Sequence, residues 1–331
     1  MPEKITVLGD GAWGTAVALL LAQDPNHRVC IWSAFEANHR ILIEKRENVR
    51  LLPGVPIPLS IDLTLDPAEA LAGCKLAVAA IPTVYLRNTL KRFVGIWPKP
   101  LPTVSLSKGI ENDTFQRPSQ ILHEVLGLDA LAVLSGPSHA EEVSRGRPTS
   151  VVVASGYEDL AREWQRRLSS DRFRVYTNPD VVGVEMAGAL KNVIGIAAGI
   201  GDGLGCGDNA KSAMLTRALV EMSRFGIALG AEPATFTGLA GLGDLITTCA
   251  SVHGRNRRVG ERLGRGEKLD DILASTPQVA EGVYTARSVY FRSHAMGVEL
   301  PIMTEVYRVL YENKPPMEAL AALMVRPPKK E

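Results

Sequence analysis

One lysine stands in a stretch that otherwise carries no charge. From Met186 to Gly201 every residue is apolar or glycine except Lys191 and Asn192. Small apolar residues on all sides predict a helix that is packed all round. An ammonium there is costly unless it is paired, and desolvation lowers its pKa. Such a lysine suits proton transfer to or from a substrate oxygen, with Asn192 beside it to orient that oxygen. The plain alternative is a lysine that snorkels from a partly exposed helix.

Other segments carry groups that would complete such a site. Gly238-Leu239-Ala240-Gly241-Leu242-Gly243-Asp244 brings a carboxylate out of a glycine-rich, otherwise apolar run. Asp244 either pairs with Lys191 or caps a helix starting at Leu245. Gly254-Arg255-Asn256-Arg257-Arg258 sets guanidinium forks beside an amide, which suits bidentate phosphate contact or, more plainly, a solvated basic helix start. Lys108, in Ser107-Lys108-Gly109, falls at the carboxyl end of a predicted strand, where open α/β sheets bind ligands. Ser135-Gly136-Pro137-Ser138 is another strand exit, although Ser138 with Glu141 also fits a capping box.

The amino terminus holds a different chemistry. Lys4 to Leu8 reads as a buried strand and runs into Gly9-Asp10-Gly11-Ala12-Trp13-Gly14, with a small-residue helix from Thr15 to Ala22 behind it. GxGxxG between a strand and a helix is a dinucleotide fingerprint. Gly9 allows the tight turn, Gly11 lets the backbone approach a pyrophosphate, and Gly14 lets the helix pack close. Helix N-terminal amides then hold the anion. The second predicted strand, Arg28 to Trp32, exits into Ser33-Ala34-Phe35-Glu36. A carboxylate at that exit would bind a ribose 2′-OH and repel a 2′-phosphate. Ser33 serves either group, Ala34 carries no charge and Glu36 comes too late, so use of both NAD and NADP is expected.

The elements that position these groups change character along the chain. Further strands are predicted at Lys75 to Ile81, Thr103 to Leu106, Leu131 to Leu134, Thr149 to Ala154 and Phe173 to Tyr176, with helices between them. Short apolar strands alternating with helices imply an α/β domain: a Rossmann-type, doubly wound, mostly parallel sheet. Beyond Asn178 the strand signal stops, and helices broken by glycine loops follow. The expected division is a dinucleotide-binding domain over 1–185 and an all-helical substrate domain over 186–331, with a loose tail at Pro327 to Glu331.

Bulk properties narrow the classes. The chain has 331 residues, enough for two domains, and a net charge of +1, which gives no field for nucleic acid or an anionic membrane. No uncharged apolar run of about 18 residues is present, so no membrane span is expected, and the first strand leaves no room for a signal peptide. Cys30, Cys74, Cys206 and Cys249 are scattered without metal-ligand spacing and read as free thiols, so no metal is expected. A cytoplasmic protein is the expectation.

Taken together, GDGAWGTA (9–16), SKG (107–109), SGPSHAEE (135–142), EMAGALKNVIGIAAGIGDGLG (185–205), GLGDLITTC (241–249), GRNRR (254–258) and QVAEG (278–282) resemble the NAD(P)-dependent glycerol-3-phosphate dehydrogenase family. The resemblance implies reversible reduction of dihydroxyacetone phosphate to sn-glycerol 3-phosphate, feeding phospholipid synthesis, by a homodimer. It implies Lys191 as general acid/base, joined by Lys108 and Asp244. Gly136, Ser138, Asn192, Thr248, Gly254, Arg255 and Asn256 would contact the substrate. Gly9, Gly11, Ala12, Trp13, Gly14, Ser33, Ala34, Lys108, Ala140, Arg255, Val279 and Glu281 would contact NAD or NADP. Two positions depart from the family pattern: bacterial relatives often have Ser where Gly254 stands, and His or Arg where Ala34 stands. Rival readings are a 6-phosphogluconate-dehydrogenase-like or 3-hydroxyacid reductase, and a catalytically silent dinucleotide sensor; the GRNRR phosphate site and the buried lysine weigh against them.

Overall fold

The computed structural model describes residues 2–276 and 278–327. The expected tail therefore lies outside the described residues from Pro328 onward. Eight strands form one sheet: β1 (Glu3–Leu8), β2 (His27–Trp32), β3 (Asp62–Thr64), β4 (Cys74–Ala79), β5 (Thr103–Ser105), β6 (Leu131–Ser135), β7 (Thr149–Ala154) and β8 (Phe173–Asn178). Their order is β3-β2-β1-β4-β5-β6-β7-β8. All neighbours run parallel except β6 and β7, which pair antiparallel through Val133 and Ala154, Leu134 and Val153, and Ser135 and Val152. This is the expected Rossmann-type, mostly parallel sheet.

The sheet is apolar on both faces, as parallel sheets must be. Ile5, Val7, Val29, Ile31, Val78 and Val104 pack on one side with Trp164. Leu8, Trp32, Ala77 and Ala79 pack on the other with Leu86, Phe93 and Trp97. The short edge strand β3 gave too few residues for a sequence signal; its register on β2 is held by Cys30 opposite Asp62 and Trp32 opposite Thr64.

The chain divides into two compact units. One comprises the residues up to Lys108 together with Gln116–Glu185; the other comprises Gly109–Phe115 and the residues from Met186 onward. The excursion Gly109–Phe115 thus joins the helical unit, which the expected single division at 185/186 left out. There, Ser288 Oγ donates to Asn112 Oδ1 at 2.6 Å. The Phe115 ring meets Phe225 edge-on at 6.0 Å.

The helical unit is built on Val181–Gly203. Length and composition would let this helix cross a membrane, but 83 % of its apolar window is buried inside the protein, as befits a core helix. It meets the helix Arg255–Gly264 almost backbone to backbone. A Cβ at Gly199 would fall 1.9 Å from the Arg257 carbonyl oxygen, and one at Gly260 would fall 2.0 Å from that of Ile196. Gly195, Gly203 and Gly264 leave similar notches, which explains the spaced glycines of both segments.

Candidate active site

Lys191 does not reach for water. Its Nζ donates to Asp244 Oδ1 at 2.9 Å and to Thr248 Oγ1 at 2.7 Å. Lys191, Asp244 and Thr248 are all buried. The acceptors lie one turn apart on the short helix Asp244–Ala250, so both face the same way. A π-helical turn, Leu239–Gly243, leads into this helix. Gly243 occupies the cap position and Asp244 is the first helical residue, so ion pairing rather than capping is the use the fold makes of its carboxylate. An isolated ammonium at this depth would be expelled or neutralised; the carboxylate and hydroxyl let it stay.

The same helix turn places Asn192 against Asn256. Asn256 Nδ2 donates to Asn192 Oδ1 at 3.0 Å, and Asn256 Oδ1 accepts from the Gly282 N–H at 2.9 Å. Asn256 therefore ties three helices together, a use the motif alone did not reveal. Arg255, the first residue of its helix, is exposed, and its Nη1 approaches the Val279 carbonyl at 3.4 Å. Gly254 sits at the N-cap with no side-chain cap, and no acidic residue occupies the first turn, so the amides of that turn have no acceptor within the helix. A Cβ at Gly254 would lie 2.8 Å from Thr248 O, so this backbone has closed over the space a larger residue would need. Arg257 is a structural residue, paired with Asp202 at 2.6 Å. Glu281 opens the helix Glu281–Ala295, with Val279 just before it.

In the sheet unit, Lys108 follows β5 and Ser138 follows β6. Lys108 Nζ and Ser138 Oγ converge on the Gly136 carbonyl, at 3.0 and 2.9 Å. The Ser138 capping box does not form. His139 holds the N-cap position of the short helix beginning at Ala140, without a side-chain cap, and the Ser138 hydroxyl is turned back to Gly136 instead.

The glycine loop is built to receive an anion. Gly9 has φ of +113°, and a Cβ there would strike Ala80 O at 2.6 Å. A Cβ at Gly14 would lie 2.2 Å from Gly9 O, whereas Gly11 faces open space with nothing within 4 Å. The helix Ala12–Leu21 starts there with no acidic residue in its first turn. Trp13 Nε1 is buried without a hydrogen-bond partner. The loop is braced from a distance: Asn38 Nδ2 donates to the Asp10 carboxylate, and Asn48 Nδ2 donates to Asp10 O and Thr15 Oγ1. These residues therefore fit a dinucleotide pyrophosphate.

At the exit of β2, Ser33 is wholly buried with its hydroxyl unpartnered, and Ala34 is half-buried. A residue the sequence reading did not single out lies there too. The Arg92 guanidinium sits 4.7 Å above the Trp32 ring and donates to Ala34 O at 3.1 Å. Arg92 is remote from Ala34 in sequence, and no local pattern announces that approach.

A dinucleotide-type glycine loop on a mostly parallel sheet, with a helical unit that buries a lysine–carboxylate pair, is the build of two-domain Rossmann-type dehydrogenases. The chain belongs to the NAD-dependent glycerol-3-phosphate dehydrogenase family: its N-terminal pattern matches residues 4–161 and its C-terminal pattern residues 180–321. A glycerol-3-phosphate dehydrogenase [NAD(P)+] of Geobacillus thermodenitrificans is 50 % identical over 99 % of this chain and 96 % of its own length. One from Chlorobium phaeobacteroides is 48 % identical over 99 % of each chain. The crystal structure of glycerol-3-phosphate dehydrogenase from Coxiella burnetii superposes with a TM-score of 0.94 at 34 % identity, covering 98 % of this chain and 99 % of that one.

Proposed function

We propose that this chain is a glycerol-3-phosphate dehydrogenase that reduces dihydroxyacetone phosphate to sn-glycerol 3-phosphate, reversibly, with NADH or NADPH. The observation that carries the reading is the buried Lys191 ammonium held by Asp244 and Thr248. A bound nicotinamide supplies the hydride to C2 of the ketone. Lys191 then gives a proton to the ketone oxygen as the C=O π bond breaks, and takes it back in the reverse direction. Asp244 keeps the ammonium charged and aimed, and Thr248 fixes its third dimension, so the donor is pre-organised rather than recruited.

Phosphate binding is assigned to Arg255 and the amides beside Gly254 and Asn256. That grip lies away from the reacting carbon and converts remote binding energy into orientation. Asn192 contacts a substrate hydroxyl, steadied by Asn256. The family resemblance adds Lys108, Gly136 and Ser138 as substrate contacts, and their convergence on one carbonyl supports a shared task. Gly9, Gly11, Ala12, Trp13 and Gly14 hold the pyrophosphate, with Ser33, Ala34, Ala140, Val279 and Glu281 as further cofactor contacts. The division of labour proposed is cofactor binding mainly by the sheet unit and substrate chemistry mainly by the helical unit, in a cytoplasmic homodimer that supplies phospholipid synthesis.

The deciding experiment follows NADH and NADPH oxidation with dihydroxyacetone phosphate and with a panel of unphosphorylated and larger phosphorylated ketones. Turnover confined to the three-carbon phosphorylated ketone is expected. Turnover of the others alone would reject the substrate, and no oxidation at all would reject the activity.

A further inference from the structure

We propose that Arg92 reads the 2′ position of the cofactor's adenosine ribose, binding the 2′-phosphate of NADP and tilting this chain toward NADPH. This rests on the dehydrogenase reading above and goes beyond it to cofactor choice. In dinucleotide-binding sheets the ribose 2′ group is met at the carboxyl end of the second strand: a carboxylate there selects NAD, and a nearby arginine accommodates the 2′-phosphate.

The exit of β2 supplies no carboxylate. Ser33 is wholly buried and its N–H is committed to Thr64 O at 2.9 Å. Ala34 has no polar side chain, and the Glu36 carboxylate is engaged by Arg40 at 3.1 Å. The guanidinium that the sequence failed to place at this exit arrives instead from the turn Lys91–Phe93. The Arg92 guanidinium carbon sits 4.7 Å from the centroid of the Trp32 ring, and one of its donors is spent on Ala34 O. Among the described residues it pairs with no carboxylate, and it is exposed. A guanidinium has five N–H donors in a rigid fork, so most of this one remains turned to water. Contact with the face of the ring that ends the strand and one hydrogen bond to Ala34, two residues beyond it, fix its orientation in advance. A dianionic phosphate gains a charge-assisted, forked contact there; a 2′-hydroxyl gains little.

The test measures dissociation constants of NADPH and NADH by calorimetry, with kcat/KM on dihydroxyacetone phosphate, for the wild-type protein, R92L and R92K. Leucine keeps an apolar cover on Trp32, and lysine keeps the charge without the fork. R92L should raise the NADPH Kd by about tenfold or more, and R92K by less, while both leave the NADH Kd within about threefold. An unchanged NADPH Kd in R92L, or an equal rise for both cofactors, would overturn the assignment. A wild-type protein that binds neither dinucleotide would overturn the underlying reading, before any substitution is made.

Discussion

Asn256 holds Asn192 through a 3.0 Å side-chain bond while its own carbonyl oxygen receives the Gly282 N–H at 2.9 Å. Both halves of one buried amide are thus used, one as donor and one as acceptor. Asn256→Asp keeps the acceptor and removes the donor, so Asn192 loses its anchor and a new carboxylate is buried. The variant should lose about 1–3 kcal/mol of stability and raise KM for dihydroxyacetone phosphate, measured by urea unfolding and initial rates. Unaltered stability with unaltered KM would mean that the bond positions nothing.

Lys191→Met removes the proposed proton donor and takes the ammonium from Asp244, which is only 2 % exposed. kcat should fall by about 10²–10⁴ with cofactor binding retained. Taking the ammonium away from a buried carboxylate should also destabilise the fold, by up to about 3–5 kcal/mol. Adding Asp244→Asn should recover much of that stability and none of the rate. Activity within about threefold of wild type would remove Lys191 from the chemistry.

Arg255→Lys keeps the charge and loses the fork. KM for dihydroxyacetone phosphate should rise beyond about tenfold, roughly 1.5–3 kcal/mol, and the weak turnover of unphosphorylated dihydroxyacetone should change far less. Equal losses on both ketones would contradict a phosphate-specific role.

Glu221 makes the stability of the helical unit depend on pH. Burial pushes its carboxyl from the ordinary 4.5 up to about 7, although the Ile302 and Met303 amides, which it accepts at 2.9–3.3 Å, pull the other way. The native state therefore holds a proton that the unfolded chain has released. The contribution is fully present below pH 4.5, declines as pH rises, and is lost above about 7. Thermal melts of wild type and Glu221→Gln should diverge in favour of the variant between pH 5 and pH 8; parallel melting profiles would show that this carboxyl does not titrate with folding.

Two glycines of the long helix should respond in opposite directions to alanine. Gly199→Ala drives a methyl to within 1.9 Å of Arg257 O and should destabilise by about 1–3 kcal/mol or more. Gly201 has nothing within 4 Å, so Gly201→Ala should gain about 0.5–1 kcal/mol from helix propensity alone. Calorimetric melting separates the two, and a shift of equal sign would refute the close approach of the helices.

What the sequence disclosed depended on how local each signal was. The glycine loop, the parallel strands and the misplaced lysine are written in short stretches, because turn chemistry, period and burial act over a few residues. The partner of Lys191 was not so written: Asp244 fits a cap and an ion pair equally well until the π-helical turn sets the helix start. Ser138 was ambiguous for the same reason, since a capping pattern competes with a carbonyl that only the fold brings near. The bracing of Asp10 by Asn38 and Asn48, and the approach of Arg92 to Ala34, are tertiary events between distant residues of no distinctive pattern.

The glycine notches between Val181–Gly203 and Arg255–Gly264 bear on selectivity as well as packing. One of these helices carries Lys191, the proposed proton donor, and the other carries Arg255, the proposed phosphate grip. At Gly199, Gly203, Gly260 and Gly264 the two backbones meet directly, so neither helix can slide along the other without collision. The span from Lys191 to Arg255 then behaves as a fixed gauge, set by main-chain atoms that mutation of a side chain cannot retune. Under the proposed roles, a ketone one carbon longer than the gauge forfeits either its phosphate contact or its proton, and chain length is measured by the skeleton of the protein itself.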